Sequence, residues 1–218
     1  MTRFFMNFKI IDRSTFIIFC LFCIVSIQLG GKWNINALAQ DSSSISKPLN
    51  SLSSQQKANL EEGMVVLQGS KGNYLGQVLA TGDINTAWEV ITDYNNFARF
   101  LPNVASSKII TEENDRVVFE QVNVVDLWLF EQEFQVEIEA NKKKPTQIDF
   151  KIVDGDLKKL VGRWEISDFE SDRVMVSHKV EVEPGSNTEK PFFYGVYESS
   201  LEDTLKAIAL EIDRRSQK

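Results

Sequence analysis

The chain has 218 residues, 31 acidic against 24 basic side chains, one histidine and two cysteines. That length allows one domain with a proper core, and the formal charge of −7 argues against a phosphate-rich partner such as nucleic acid. Both cysteines, Cys20 and Cys23, lie in the first 39 residues. A chain cut after that segment has no thiol, which excludes disulfide frameworks, thiol catalysis and cysteine-ligated zinc.

Cleavage is what the N-terminus predicts. Arg3, Lys9 and Arg13 form a basic region, Phe16 to Ile27 is apolar apart from Ser26, and Ala37-Leu38-Ala39 supplies a small-x-small site. Residues 1–39 therefore read as a signal peptide, with Gln40 as the first mature residue. The apolar run falls short of the roughly 20 residues of a membrane span; an uncleaved N-terminal anchor is the alternative. Neither cysteine follows a lipobox-like pair. Beyond residue 39 the balance is 20 basic to 30 acidic, a net charge of −10.

Residues 40–57 hold seven serines and read as a flexible spacer. The folded domain is expected over residues 58–218. Ser53 and Gln56 form a capping-box pattern for a short helix ending before Gly63. Met64–Gln68 and Tyr74–Thr81 flank Gly69-Ser70-Lys71-Gly72 and predict a hairpin. That glycine pair lacks the spacing and following helix of a phosphate loop. Asp83 can cap a helix whose apolar face is Ile84, Trp88 and Ile91, and a second short helix over Asn95–Leu101 ends at Pro102.

Alternating runs follow. Val117, Phe119 and Gln121 begin the series, then Phe134, Val136, Ile138 and Ala140, then Ile148, Phe150 and Ile152, then Leu160, Gly162, Trp164 and Ile166. Val174, Val176, His178, Val180 and Val182 alternate most cleanly, opposed by Arg173, Lys179, Glu181 and Glu183. One apolar and one charged face argue for antiparallel pairing with one side wet. Tyr197, Leu201, Leu205, Ile208 and Ile212 then recur at helical spacing after Pro191, with Glu198, Glu202, Lys206 and Arg214 outside. The fold class is α+β: a curved antiparallel sheet of about six to seven strands wrapped on one long C-terminal helix.

This order, together with Thr92-Asp93 and Phe97-Ala98-Arg99-Phe100-Leu101-Pro102, resembles the polyketide cyclase/dehydrase and coenzyme Q-binding START-domain family, within the helix-grip, START/Bet v 1-like group. The Thr-Asp-Tyr-Asn-Asn-Phe segment, Gly155-Asp156 and Gly162-x-Trp164 look like the long forms common in cyanobacteria, and the likeness covers residues 60 to 215. It implies a START-like domain with an internal cavity and a hydrophobic small-molecule partner. A monomer with no cofactor and transient membrane contact is expected, and the N-terminal segment predicts export to the periplasm or thylakoid lumen. In quinone-binding relatives the aromatic at position 97 is usually tyrosine; here it is Phe97, with Tyr94 one turn earlier. A plastoquinone-like, carotenoid or acyl lipid is as compatible as coenzyme Q.

Trp88, Phe97, Phe100, Phe134, Phe150, Trp164 and Tyr197 are expected to face inward. They would wall a cavity, with Tyr94 and Leu201 beside them, or else form ordinary core. His178, inside a valine stripe, would orient a ligand, move a proton, or be a satisfied core histidine. The glutamates at 131, 133, 137 and 139 share the charged face of one strand and read as solvated. Asp126, Asp154 and Asp156 read as turn residues. No carboxylate cluster has metal-ligand spacing.

Two function classes follow: a non-catalytic domain that binds or shuttles a hydrophobic molecule, and a cyclase/aromatase-type enzyme in which one polar group moves a proton. An envelope interaction module with a vestigial pocket is the third. Only His178, Tyr94 and Tyr197 offer inward acid/base groups, and this scarcity favours binding.

Overall fold

The computed structural model describes residues 52–126, 131–170, 172–186 and 190–217; residues 1–39, expected to be a signal peptide, lie outside them. Ser53 begins helix α1 (Ser54–Glu61) with the expected reciprocal box: its side chain accepts from the Gln56 amide, and the Gln56 side chain accepts from Ser53 N. The helix thus starts inside the range expected to be spacer. Strands β1 (Val66–Ser70) and β2 (Asn73–Thr81) are joined by Lys71-Gly72, both at positive φ (53° and 92°), the backbone that a two-residue hairpin needs. Asp83 accepts from Thr86 N at 2.8 Å to start α2 (Ile84–Ile91), and a 3₁₀ helix follows over Tyr94–Arg99.

Six strands then run as a meander: β3 (Val104–Glu113), β4 (Arg116–Asp126), β5 (Glu131–Lys143), β6 (Gln147–Gly155), β7 (Leu157–Phe169) and β8 (Arg173–Pro184). β8 pairs with β2, so the order across the sheet is β1-β2-β8-β7-β6-β5-β4-β3, antiparallel throughout. The last element is α3 (Lys190–Ser216), 27 residues long. This is the helix-grip architecture, with eight strands rather than six to seven. The strand that alternation does not reveal is β3. It is an edge strand, exposed at most positions, with Lys108, Thr111, Glu112 and Glu113 among its residues, and an edge needs no inward apolar stripe.

β2 and β3 are consecutive in sequence yet near opposite edges of the sheet. The α2–3₁₀ segment must therefore cross from one side of the sheet to the other. α3 packs chiefly on β2, with contacts to β8 and α2. Leu201, Leu205, Ile208 and Ile212 are its buried stripe. Gly76 makes room for it, since a Cβ there would stand 2.3 Å from Leu205 Cδ1. At its C-terminal end Glu211 receives both Arg214 and Arg215, and Arg215 also reaches Asp93 at 2.7 Å. Those guanidinium partners pull the Glu211 carboxyl down to about 2.

The outer face is wet over most of the sheet, where Glu139 sits between Arg116 and Lys151. It is dry under α1: Leu60 packs with Val66, Leu79 and Met175, so β2 is buried on both faces. No helix among the described residues is long and apolar enough to cross a membrane.

The buried stripe of α3 yields a paired prediction. Leu205 is 0 % exposed and Leu210, on the same helix, is 68 % exposed. Leu205→Asp should cost several kcal/mol by burying an unpaired charge. Leu210→Asp should stay within about 0.5 kcal/mol of the parent. Urea unfolding followed by circular dichroism reads both; equal effects would place the stripe in solvent.

Candidate functional site

α3 covers the β2–β8 side of the inner face, and the 3₁₀ helix covers the β3–β4 side. Between them lies a cavity of about 700 Å³, within the roughly 300–1,000 Å³ of ordinary ligand pockets. Its floor is the inward stripe of β5 and β6: Phe134, Val136, Ile138 and Ala140, then Ile148 and Phe150. β7 contributes Leu160 and Trp164, β8 contributes His178, and α3 contributes Phe193, Tyr197 and Leu201. Tyr94 and Phe97 close the far side with Phe119 of β4. Eight of the ten residues expected at a ligand site therefore border one space: Tyr94, Phe97, Phe134, Phe150, Trp164, His178, Tyr197 and Leu201.

Trp88 and Phe100 do not. Trp88 is buried, but α2 lies against α3, β7 and β8, so this ring is core packing outside the cavity. Phe100 turns to the other side of the 3₁₀ helix, where the Arg215 guanidinium lies 5.6 Å from its ring centroid. Both corrections share a cause: helical spacing marks a residue as inward but not which inward space it meets. The Thr92-Asp93 pair is structural as well. Thr92 Oγ1 donates to Trp88 O at 2.7 Å, while Asp93 accepts from Asn96 and Arg215 and so ties the 3₁₀ helix to the end of α3.

His178 is held between rings, with its centroid 3.7 Å from that of Trp164 and 5.4 Å from the parallel ring of Phe150. Phe150 sits over Gly162, where a Cβ would stand 2.5 Å from Phe150 Cζ. That glycine gives the ring its place. His178 is 6 % exposed, its Nδ1 has no hydrogen-bond partner, and burial alone lowers its pKa from 6.5 to about 3. The imidazole is neutral at physiological pH.

Tyr94 is fixed by stacking on Phe119 (4.4 Å between centroids) and by the edge of Phe97 (5.4 Å). Its hydroxyl is buried, unpartnered and held in the protonated form by burial. Tyr197 is likewise pushed up by burial and then by Tyr74. Tyr74 stacks on it at 5.8 Å and donates to Glu198 at 2.9 Å, its own pKa raised to about 12, mainly by burial.

The residues missed from sequence are polar. Asn103, Gln121, Asn123 and Gln132 border the cavity near the ends of β4 and β5, and Gln121 Nε2 donates to Asn123 Oδ1 at 2.7 Å. Ser200 and Thr204 border it from α3. The signal was available for Gln121, which continues the inward alternation of Val117 and Phe119. Among the described residues that line the cavity none is Asp, Glu, Lys or Arg. Phe192 borders it while 54 % exposed, and so stands where the cavity meets solvent. The arrangement can surround an apolar body and offer it neutral hydrogen-bonding groups.

Residues 82–209 match the family model described as polyketide cyclase/dehydrase and lipid transport. Among solved structures, the STAR-related lipid transfer protein of Xanthomonas axonopodis (fragment 25–204) aligns at 16% identity over 68% of this chain and 92% of its own, with a TM-score of 0.59. The Zhui aromatase/cyclase of Streptomyces sp. R1128 aligns at 15% identity over 66% and 94%, TM-score 0.54. A START superfamily protein of Mycobacterium smegmatis aligns at 15% identity over 71% and 98%, TM-score 0.53. At such identities the likeness establishes the helix-grip fold. No curated protein matches the chain.

Neutral, buried His178 makes acid stability a readout of the site. The unfolded chain takes a proton near pH 6.5, the folded chain only near pH 3. Between those values the unfolded state binds more protons, so stability rises with pH, is complete above about 6.5 and falls away toward 3 by up to about 1.4 kcal/mol per pH unit. From pH 7 to 4.5 the parent should lose about 2–3 kcal/mol more than His178→Leu. Parallel curves would mean that the imidazole is hydrated or charged.

Proposed function

Since the chain belongs to the polyketide cyclase/dehydrase and lipid-transport family, we propose that it binds and carries a hydrophobic small molecule in this cavity without transforming it. The observation that carries the reading is about 700 Å³ of space with no charged side chain among the described residues that line it. Apolar surface moved there from water gains roughly 25 cal/mol per Å². A vestigial pocket would be filled by its own side chains, and none of the described residues fills this one.

The fold neighbours include both a lipid transfer protein and an aromatase/cyclase, so the choice rests on proton chemistry. General acid–base work at neutral pH favours a group that titrates near 7. His178 is lowered to about 3, while Tyr94 and Tyr197 are raised. The three groups thus keep their protonation states across the physiological range. This supports the carrier over the cyclase.

Native mass spectrometry of protein purified from its source cells should show one apolar molecule bound. Ser200→Trp, placed on the cavity face of α3, should fill the space and release that molecule while the fold persists. Gly162 is unsuited to this purpose, because its Cβ would meet Lys179 O at 2.3 Å. A ligand-free parent that also fails to take up apolar probes would defeat the carrier reading.

The place of action is part of the proposal. The basic, apolar and small-x-small segments of residues 1–39 support export, with a monomer meeting its ligand at the surface of a periplasmic or lumenal membrane. Sequencing the mature N-terminus should give Gln40 or a near neighbour; recovery of intact Met1 in the cytosol would overturn it.

A further inference from the structure

We propose that the cargo is a single-headed amphiphile with an uncharged, oxygen-bearing head, its chain inside the cavity and its head held at the mouth by a collar of carboxamides and hydroxyls. This deepens the carrier reading and rests on it.

Polarity in the cavity is sorted by depth. Asn103, Gln121, Asn123, Gln132, Ser200 and Thr204 all border it, Asn103 exposed and the other five half-buried. The buried lining is instead hydrocarbon or ring, as at Val136, Ala140, Ile148 and Phe150. Its two polar members are Tyr94 and His178, whose Oη and Nδ1 are sealed by packing and closed to an occupant. Groups able to bond a ligand therefore gather toward solvent, and the depth is left for hydrocarbon.

The collar is assembled at one end of the sheet. β4 ends there while β3, β5 and β7 begin, and α3 starts shortly after β8 ends at the same edge. Gln121 Nε2 donates to Asn123 Oδ1 at 2.7 Å. Asn103 O accepts from Val124 N at 2.8 Å, which sets Asn103 beside Asn123. Asn123 pairs with Phe134 of β5, so Gln132 shares its face of the sheet. On α3, Phe192, Val196, Ser200 and Thr204 recur at every fourth position and border the cavity. Phe192 is exposed and the other three half-buried, whereas Phe193, Leu201 and Ile208 are buried. That flank of α3 is the second border of the opening.

The chemistry of the collar selects the head. A carboxamide presents an acceptor oxygen and two N–H donors. The single bond between Gln121 and Asn123 thus uses only part of their capacity, and hydroxyl, ester or glycoside oxygens match what is left. A head drawn against a half-buried rim loses some of its hydration. An uncharged polar head regains it in hydrogen bonds; a carboxylate or ammonium meets no counter-charge among the described lining residues. A hydrocarbon without a head would dehydrate the collar and return nothing.

Probes that share one twelve-carbon chain and differ in the head separate the possibilities: glycerol monolaurate, laurate and dodecyltrimethylammonium. Each is titrated below its micelle-forming concentration to displace the neutral dye Nile red. Glycerol monolaurate should bind the parent at least about 10-fold more tightly than either ion, two or more hydrogen bonds contributing roughly 3- to 10-fold each. Gln121→Leu and Asn123→Leu should each remove one such factor and leave Nile red within about twofold. Gln121→Lys should raise laurate affinity at least about 10-fold by setting a cation beside its head. That gain cannot come from a misfolded protein, so it stands even if a leucine variant fails to fold. Equal affinity for the three heads, or monolaurate affinity indifferent to both leucine variants, overturns the collar proposal alone. A folded Gln121→Lys variant with no added laurate affinity overturns its charge rule. Nile red binding without any of the three probes overturns the collar and leaves the carrier reading; failure of Nile red as well overturns both.

Discussion

One long helix cannot cover an eight-stranded sheet, and the rest of the molecule follows from that mismatch. An α-helix with its side chains is about 10–12 Å across, while eight strands at roughly 4.8 Å spacing present a face about three times as wide. α3 is committed to one side of it, where Gly76 lets Leu205 sit directly on β2. The other side is reached by the chain crossing from β2 to β3, too short to fill what lies between. The cavity is therefore built into the topology. No single large-to-small position creates it.

Such a space persists only if its walls do not collapse inward, and here the walls are braced by rings. Tyr94, Phe97 and Phe119 support one another on the β4 side. Phe150, His178 and Trp164 form a stack on the other. Stacked and edge-on aromatic pairs are worth about 0.5–1.5 kcal/mol beyond their burial, and their stiffness limits how far each side can move into the gap. Outside the cavity, the Asp93–Arg215–Glu211 cluster fastens the 3₁₀ helix to the end of α3. It thereby fixes the distance between the two covers.

Most of this frame was legible in the chain itself, because burial on one side imposes a period that composition cannot hide. β4 to β8, α2, α3 and the capping box at Ser53 were read from alternation, helical spacing and a pair of polar residues. β3 escaped because an edge strand has no stripe to show. The second dry face, where Met175 and Leu79 meet Leu60, escaped because a neighbour distant in sequence supplies the cover. The site followed the same logic. Trp88 and Phe100 have the right residue type and phase but meet a different surface, whereas Asn103, Gln121, Asn123 and Gln132 meet the cavity without being apolar. Periodicity reports burial; which void a buried side chain borders is settled by the crossing of elements in three dimensions.

The chemistry of the site turns on the same crossing. His178 occupies a position in β8 that four valines share, at Val174, Val176, Val180 and Val182, and a fifth aliphatic side chain would have completed an ordinary core. Between Phe150 and Trp164, the imidazole is instead so poorly solvated that its charged form is suppressed, and a group that titrates near neutrality in water becomes a fixed dipole. The same burial holds the proton on Tyr94. Burial thus holds both side chains in one protonation state across the physiological range. Making it an acid–base site would require solvent or a counter-charge beside His178. Among the described residues that line the cavity none supplies a counter-charge, and the rings on either side of the imidazole leave His178 only 6 % exposed.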